Sequence, residues 1–121
     1  MSTYLTIKKK GVKLCSYSNN SEFYQAFGNF IPCDKWGECT LDDLYYGMNS
    51  LEEEIKNYKK CVERYKTSLQ YLKKADDVYE ALSSIDSFEE SLEETREAFY
   101  YVKFLIEVYN QDKGNMEWKI E

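Results

Sequence analysis

The sequence predicts an α+β fold in which a small antiparallel sheet packs on a long antiparallel helical hairpin. Three observations predict it: two alternating segments around a Lys-Gly turn, a long heptad repeat of apolar residues, and an alternating segment at the end of the chain. With 121 residues, the chain is expected to form a single domain. We divide it into a β-hairpin, short helix and loop over 1–40, a helical hairpin over 41–112 and a final strand over 115–121.

The first sheet element is a predicted β-hairpin formed by residues 4–8 and 12–17. The Lys-Gly pair at 10–11 suits a two-residue turn, which needs positive φ angles. In the second segment the alternation places Val12 and Leu14 on one face of the strand. The final strand is predicted to pair with this hairpin, which gives a three-stranded antiparallel sheet with its apolar face on the helices.

A short helix is predicted over 22–27, after Ser and Asn residues that suit a helix cap and before a glycine stop at Gly28. Residues 29–39 include Pro and Gly and are expected to form an ordered loop. We expect this loop to turn three large side chains inward, namely Phe30, Ile31 and Trp36.

A heptad repeat predicts the first long helix, because alternating steps of three and four keep apolar residues on one side. The ten residues are Leu41, Leu44, Met48, Leu51, Ile55, Tyr58, Val62, Tyr65, Leu69 and Leu72. Thr40 and Asp43 form a predicted capping box, and Gly47 leaves a break near 47–50 open. The stripe packs either inside the helical hairpin or between subunits. The residues assigned to a subunit interface are Leu41, Leu44, Met48, Leu51, Ile55 and Tyr58.

The point at which the chain turns back is ambiguous in the sequence. The heptad repeat ends at 73–77, whereas 83–87 holds stronger turn and capping residues. We therefore expect a kinked or short helical piece between 76 and 85 and a final helix over 87–111. Residues 98–109 are apolar around nearly the whole helix, so a sheet face or a second subunit is expected to enclose them.

Charge and missing residue types argue against an enzyme. The net charge is −6, divided into +2 over 1–40 and −8 over 41–121, and an acidic half disfavours direct nucleic-acid binding. The chain has no His, no glycine-rich phosphate loop and no nucleophile elbow. We expect no catalytic residues, no metal and no cofactor.

The cysteines and the termini predict a cytoplasmic protein. Cys33 and Cys39 lack the paired spacing typical of zinc sites, so all four cysteines are expected to be buried, reduced thiols. Arg64 and Arg96 are expected to pair with acids beside them on the surface. The chain has no apolar run long enough for a membrane span and no signal-peptide pattern, so we expect no membrane association.

Two surfaces are candidates for ligand or partner binding. A row of carboxylates on the final helix is expected to meet a basic groove of another protein, with a tyrosine beside it. These residues are Glu89, Glu90, Glu93, Glu94, Glu97 and Tyr100, of which 90, 93, 94 and 97 are predicted to share one helical face. The alternative is a nucleotide site in which aromatic rings stack on a base and lysines meet phosphates. These lysines are Lys8, Lys9, Lys10 and Lys13.

The opening of the chain resembles a group of phage proteins. Residues 4–7, Gly11, 14–17 and 23–27 look like the start of small uncharacterised proteins of bacteriophages and prophages of low-GC Gram-positive bacteria. The resemblance covers roughly the first 28 residues and transfers no catalytic residues. It implies an accessory phage product in the cytoplasm of the bacterial host cell. Small acidic phage proteins of this kind are often inhibitors of host defence, including anti-CRISPR proteins, and others sequester nucleotide signals.

Three functions follow as hypotheses. The first is a non-enzymatic inhibitor that binds a host protein, including the nucleic-acid-binding class, through its acidic, Tyr-rich surface. The second is a sponge that sequesters a cyclic nucleotide defence signal at a subunit interface. The third is an oligomerisation or scaffold module that uses the heptad stripe, and we expect a homodimer or higher oligomer.

Overall fold

A computed structural model describes residues 3–29 and 31–121 and confirms the α+β fold. In chain order the elements are β1 (Tyr4–Lys9), β2 (Val12–Ser18), α1 (Glu22–Phe27), β3 (Gly37–Glu38), α2 (Leu41–Leu69), α3 (Ala75–Gln111) and β4 (Met116–Ile120). The strands form an antiparallel sheet in the order β2-β1-β4-β3, and α2 and α3 form an antiparallel helical hairpin. In the described part of the chain, no helix is both long enough and apolar enough to span a membrane.

The hairpin turn is built as its sequence predicts. Lys10 and Gly11 have φ angles of +50° and +79°, and Lys9 stands opposite Val12, so two residues close the turn. β4 pairs with the other side of β1. The inward face of the two central strands is fully or nearly fully buried, and its side chains are Leu5, Ile7, Met116, Trp118 and Ile120.

The face assignment in β2 is wrong in part: Leu14 is half-buried against the core, but a β-bulge turns Cys15 and Tyr17 to the same core. The register shifts between Ile7 and Lys8, so that Cys15 stands opposite Ile7 and Tyr17 opposite Leu5. Because cross-strand partners share a face, Cys15 and Tyr17 point to the core, and Val12 is 64% exposed. Tyr17 stacks on Phe23 of α1, with their ring centroids 4.4 Å apart.

The segment predicted as an ordered loop contributes a fourth strand at its end, β3. β3 pairs with β4, and residue Cys33 makes an isolated parallel bridge to Ile120. Ile31 is buried as expected, whereas Phe30 lies outside the described residues. The inward placement of Trp36 is wrong: its ring lies against outward side chains of the sheet. The Lys8 and Lys119 ammonium groups are 4.1 and 5.0 Å from the ring centroid.

Helix α2 is continuous, so the break near 47–50 does not occur. Thr40 and Asp43 form the predicted capping box at its start. Gly47 is a packing residue, because a Cβ atom at this position would overlap the ring of Phe27 from α1. The glycine therefore lets α1 approach α2 closely. Glycine has a weaker helix propensity than other residues, and in exchange this position gives room to the Phe27 ring.

Helix α3 is a single helix of 37 residues, which corrects the predicted kink between 76 and 85 and the start at 87. The chain turns back at 70–74 instead. Apolar side chains continue at steps of three and four through the region expected to break, and they face α2. These residues are Val78, Ala81, Ile85, Phe88 and Leu92. Continuous packing along α2 thus outweighs the capping residues at 83–87.

The molecule has two parts that share the same pair of helices. The body consists of the sheet, α1, residues 41–51 of α2 and residues 98–111 of α3, and it contains the contiguous core. The arm consists of residues 52–97, where α2 and α3 continue past the last helical members of that core, Leu51 and Ala98. The enclosure predicted for 98–109 is partial, because Tyr100 and Phe104 are 64% and 51% exposed.

Candidate functional site

The acidic residues predicted to share one helical face are divided between two sides of α3. Glu89 and Glu93 line a groove between α3 and α2. Glu94 and Glu97 line a separate cleft beside α1. Glu90 and Tyr100 are exposed. Consecutive residues on a helix lie 100° apart, so Glu93 and Glu94 point to opposite sides of the exposed face of α3.

The cleft beside α1, which we call the α1 cleft, concentrates negative charge next to aromatic rings. It encloses about 320 Å³, and Glu22, Glu94 and Glu97 line it together with Tyr17. Burial raises the pKa of Glu22, the hydrogen bond from Tyr58 opposes that rise, and the charges of Glu54 and Glu94 add to it. Tyr58 Oη donates to Glu22 Oε1 over 3.4 Å. These uncompensated carboxylates make the cleft a favourable place for a cation.

Exposed aromatic side chains continue the acidic surface toward the end of α3. Glu90, Glu97 and Phe104 follow one another at steps of seven, so they lie along one line of the helix, and Tyr100 lies beside it. Phe104 and Tyr100 are both more than half exposed. We call this surface the ridge and define it as Glu90, Glu94, Glu97, Tyr100 and Phe104. Exposed aromatic rings next to charge are typical of protein-binding surfaces.

The groove on the other side of α3, which we call the arm groove, was not predicted. It encloses about 750 Å³ above Val62 and Leu92. Its walls carry charged side chains of both signs, Lys59, Glu63 and Lys66 from α2 and Glu89, Glu93 and Arg96 from α3. Lys66 Nζ lies 3.2 Å from Glu89 Oε1. Arg96 makes no ion pair within the described residues, so its predicted pairing with adjacent acids is wrong, and the same holds for Arg64.

The sequence does contain a charge pattern that predicts the arm groove, but it is visible only over segments shorter than the two halves of the chain. Residues 56–74 hold seven Lys or Arg and one Glu, whereas 75–97 hold nine Asp or Glu and one Arg. A net charge taken over 41–121 hides this division. Beyond residue 55, the arm therefore has a basic segment of α2 and turn packed beside an acidic helix, and its surface is not uniformly acidic.

The four lysines proposed for nucleotide binding do not converge. Lys9 donates to the carbonyl oxygens of Asp112 and Gly114, and Lys10 forms an ion pair with Asp112. Both therefore tie the hairpin turn to the α3–β4 connection. Lys8 and Lys13 stand opposite each other on β1 and β2 and line a depression of about 490 Å³ with Trp36. Lys8 Nζ also lies 3.5 Å from Glu117 Oε2.

The heptad stripe is largely occupied within the chain. Leu44 and Leu51 are 0% and 1% exposed, which removes them from any subunit interface. Leu41 and Met48 are half-buried against the same core, and Ile55 is half-buried in the arm. The centroid of the Tyr58 ring lies 6.2 Å from the centroid of the Phe88 ring in α3.

The thiols fall into different environments. Cys39 is buried as predicted, and burial raises its pKa far above the usual value. Burial also raises the pKa of Cys15 to about 11, although a hydrogen bond with Tyr101 opposes the rise. The prediction of burial is wrong for Cys33, which is exposed beside Asp34, and Cys61 is half-buried. Within the described residues, no three His, Cys, Asp or Glu side chains form a group that would hold a metal ion.

Comparisons with protein-family models, with curated proteins and with solved structures give no match to this chain.

Proposed function

We propose that this protein works by binding another protein, whose basic surface meets the ridge and the α1 cleft. The observation that carries this proposal is the continuity of Glu90, Glu94 and Glu97 with the exposed rings of Tyr100 and Phe104. Carboxylates supply attraction and orientation, whereas aromatic rings supply apolar contact area with few rotatable bonds. Together they provide both contributions that a stable protein interface needs.

The α1 cleft gives this surface a place for a Lys or Arg side chain of the partner. The raised pKa of Glu22 reflects burial that its hydrogen bond from Tyr58 does not fully offset. A cation entering beside Glu22 and Glu94 would favour the ionised carboxylates, so binding and ionisation would reinforce each other. Tyr17, whose ring is stacked on Phe23, adds an aromatic wall that the alkyl part of such a side chain can contact.

The class of partner that we favour is a host defence protein with a basic nucleic-acid groove. Two features support it: the carboxylates along α3 present negative charge of the kind such a groove accepts, and the opening of the chain resembles phage accessory proteins. Occupying the groove would inhibit the defence protein by excluding its nucleic acid. No chemistry on the partner is required.

The test uses the immobilised full chain to capture host proteins, followed by binding measurements with each purified candidate. We expect Glu94→Lys/Glu97→Lys to lose binding at least tenfold, and we expect added salt to weaken wild-type binding. The control Glu38→Lys/Glu52→Lys has the same charge change at exposed positions away from the ridge and should bind normally. A partner that binds both variants equally well, or that keeps its nucleic acid when bound, would contradict the proposal.

A further inference from the structure

The helices pack on one face of the sheet, and the opposite face carries polar and charged side chains around a depression. In β1 the outward residues Tyr4, Thr6 and Lys8 alternate with residues of the buried core. In β2 Ser16 stands opposite Thr6 and Lys13 opposite Lys8, so both share this outward face. All five residues line the depression of about 490 Å³, which we call the sheet depression.

One end of the sheet depression is positively charged. Lys8 and Lys13 are direct cross-strand partners, and like charges in such a pair repel each other. Within the described residues Lys13 makes no ion pair, and the Lys8 ammonium has one carboxylate near it, with 3.5 Å between Nζ and Glu117 Oε2. An anion between the two ammonium groups would relieve their repulsion, and a phosphate group is an anion that lysines bind well.

The other end presents a hydrogen-bond acceptor next to an aromatic ring. Glu121 lines the depression there and stands beside Tyr4, since their backbone N–H and C=O groups bond in both directions with N–O distances of 2.7 and 3.0 Å. One carboxylate oxygen of Glu121 lies 3.0 Å from Lys119 Nζ, which leaves the other oxygen as an acceptor. Tyr4 and Lys8 are four strand residues apart, so the two ends are separated by about 13 Å.

Aromatic rings and hydroxyl groups lie between these ends. The Trp36 ring borders the depression and is held over the sheet by Lys8 and Lys119, whose ammonium groups are 4.1 and 5.0 Å from its centroid. The Tyr4 side chain is 43% exposed. On the floor, Thr6 Oγ1 and Ser16 Oγ are 3.2 Å apart. Rings of this kind offer stacking surface to a nucleotide base, and hydroxyls offer hydrogen bonds to a sugar.

We propose that the sheet depression binds a nucleoside monophosphate whose base carries an amino group. Its phosphate lies between Lys8 and Lys13, its base contacts the aromatic rings, and the amino group donates to Glu121. Inorganic phosphate would use the positive end alone, and an acidic peptide would bring a further negative charge to Glu121. A nucleotide with guanine places an anion at one end and base donors at the other, which is the order in which the depression presents its partners.

This site differs from the nucleotide site that the sequence predicts. It uses only Lys8 and Lys13 of the four lysines, because Lys9 and Lys10 tie the hairpin turn to the α3–β4 connection. It also needs no second subunit, since one chain supplies all of its walls. The ridge and the α1 cleft are formed by helices, which pack on the other face of the sheet. Failure of the nucleotide proposal therefore does not imply failure of the partner-binding proposal, or the reverse.

The experiment titrates guanosine monophosphate into the full chain and follows the indole N–H resonances by nuclear magnetic resonance. The chain has two Trp residues, of which Trp36 borders the depression and Trp118 is buried in the core at 1% exposure. We expect the Trp36 resonance to shift in a saturable way and the Trp118 resonance to stay nearly unchanged. Guanosine, inorganic phosphate and uridine monophosphate, whose base has no amino group, should each bind about tenfold more weakly.

The variant Lys13→Glu should weaken binding of guanosine monophosphate by about tenfold or more, because it replaces an ammonium at the phosphate end with a carboxylate. Lys73→Glu makes the same charge change at an exposed position in the turn of the arm and should bind like the wild type. The Trp118 resonance reports whether each variant keeps its core. The proposal is overturned by an unshifted Trp36 resonance at millimolar nucleotide or by a folded Lys13→Glu variant that binds normally. Equal affinity for inorganic phosphate, guanosine or uridine monophosphate overturns it as well.

Discussion

The body and the arm are made from the same two helices, yet different interactions hold them together. In the body, residues 41–51 and 98–111 pack against a sheet and a third helix, and the core includes Trp118 and Phe27, whose ring centroids are 5.3 Å apart. In the arm, α1 reaches only the base, where Glu22 accepts a hydrogen bond from Tyr58. Beyond this point the two helices pack on each other, and the buried apolar side chains are Val62, Ala81, Ile85 and Leu92. Enclosure from several sides supports the body, and one narrow seam supports the arm.

This difference explains why charge matters more in the arm. A single helix–helix seam buries a stripe and leaves most of each helix in water, so the arm has a large surface for its charged residues. The body places few charges near its core and uses Lys9 and Lys10 as ties between loops. We therefore expect stability to reside mainly in the body and interactions with other proteins to reside mainly along α3 and the arm.

Two isoleucines in α3 offer the sharpest test of this comparison. Ile106 in the body and Ile85 in the arm are 6% and 5% exposed, so they differ in surroundings but not in burial. We expect Ile106→Ala to lower the free energy of unfolding by about 4 kcal/mol and Ile85→Ala by about 2 kcal/mol. The reason is that the enclosed body keeps the cavity open, whereas two helices without a third layer can close around it.

Urea unfolding followed by circular dichroism measures both changes, at high salt so that association between chains does not contribute. Thr67→Ala on the exposed side of α2 serves as a control for substitution in a helix and should change stability little. Equal losses for the two isoleucine variants would show that the arm is enclosed as well as the body.

Local chemistry made much of the fold predictable. The turn at Lys10 and Gly11, the cap at Ser21 and the capping box at Thr40 each depend on residues close together in sequence, and each occurs as predicted. Other features depend on contacts between distant segments. The bulge that turns Cys15 inward is set by pairing with Ile7, and β3 exists because β4 offers it an edge.

The start of α3 shows why capping signals misled the prediction. Ser83, Ser84 and Ser87 are good capping residues, yet they lie inside the helix because the apolar stripe around them packs on α2. The observed start at Ala75 follows Lys74, whose side chain makes no capping hydrogen bond. Packing along the seam decided the boundary against local preference.

The candidate sites also divide into those that local sequence predicts and those that depend on contacts between distant segments. The exposure of Tyr100 did not follow from the enclosure predicted for 98–109, whereas Glu90 was identifiable as an exposed helix residue from its spacing and polarity alone. The arm groove was not, because it depends on which residue of α2 stands opposite each residue of α3. That register became visible only with the Lys66–Glu89 pair. The α1 cleft likewise needed the position of α1, which Gly47 allows by giving room to Phe27.

The uncapped start of α3 suggests a second test, because it lies at the far end of the arm. The substitution Lys74→Ser would provide a hydroxyl that accepts a hydrogen bond from the backbone amide of Asp77, as Thr40 does for Asp43 at the start of α2. We expect a gain of about 1 kcal/mol in the opening free energy of the arm. Hydrogen exchange of amides in the first turns of α3 measures it.

Lys73→Ser is the matched control, since it removes the same charge one residue before the cap position. It should leave amide protection in the arm nearly unchanged. Body amides that exchange through global unfolding should gain the same protection in Lys74→Ser and none in Lys73→Ser, because the arm is also unfolded in the globally unfolded state. Equal protection in both variants would mean that the helix start is already satisfied by other groups.

The smallest expected effect concerns the ion pair that ties the β1–β2 turn to the α3–β4 connection. No ion pair of the described residues ties the α2–α3 turn of the arm in the same way. The hydrogen bond from Lys10 holds the pKa of Asp112 below its usual value, and the charges of Lys10 and Lys9 act in the same direction against a slight burial effect. Because the pKa is lower in the folded state than in the unfolded state, ionised Asp112 stabilises the fold above the unfolded pKa. This contribution is lost as the pH falls through the folded pKa. We therefore expect Asp112→Asn to lower the Tm slightly at neutral pH and to match the wild type at a pH well below the lowered pKa of Asp112, where both side chains are neutral. Asp86→Asn, on the exposed surface of the arm, should show no such pH-dependent difference. Melting curves for the three proteins at both pH values measure the effect, and a Tm difference that persists at low pH would assign the tie to packing and not to charge.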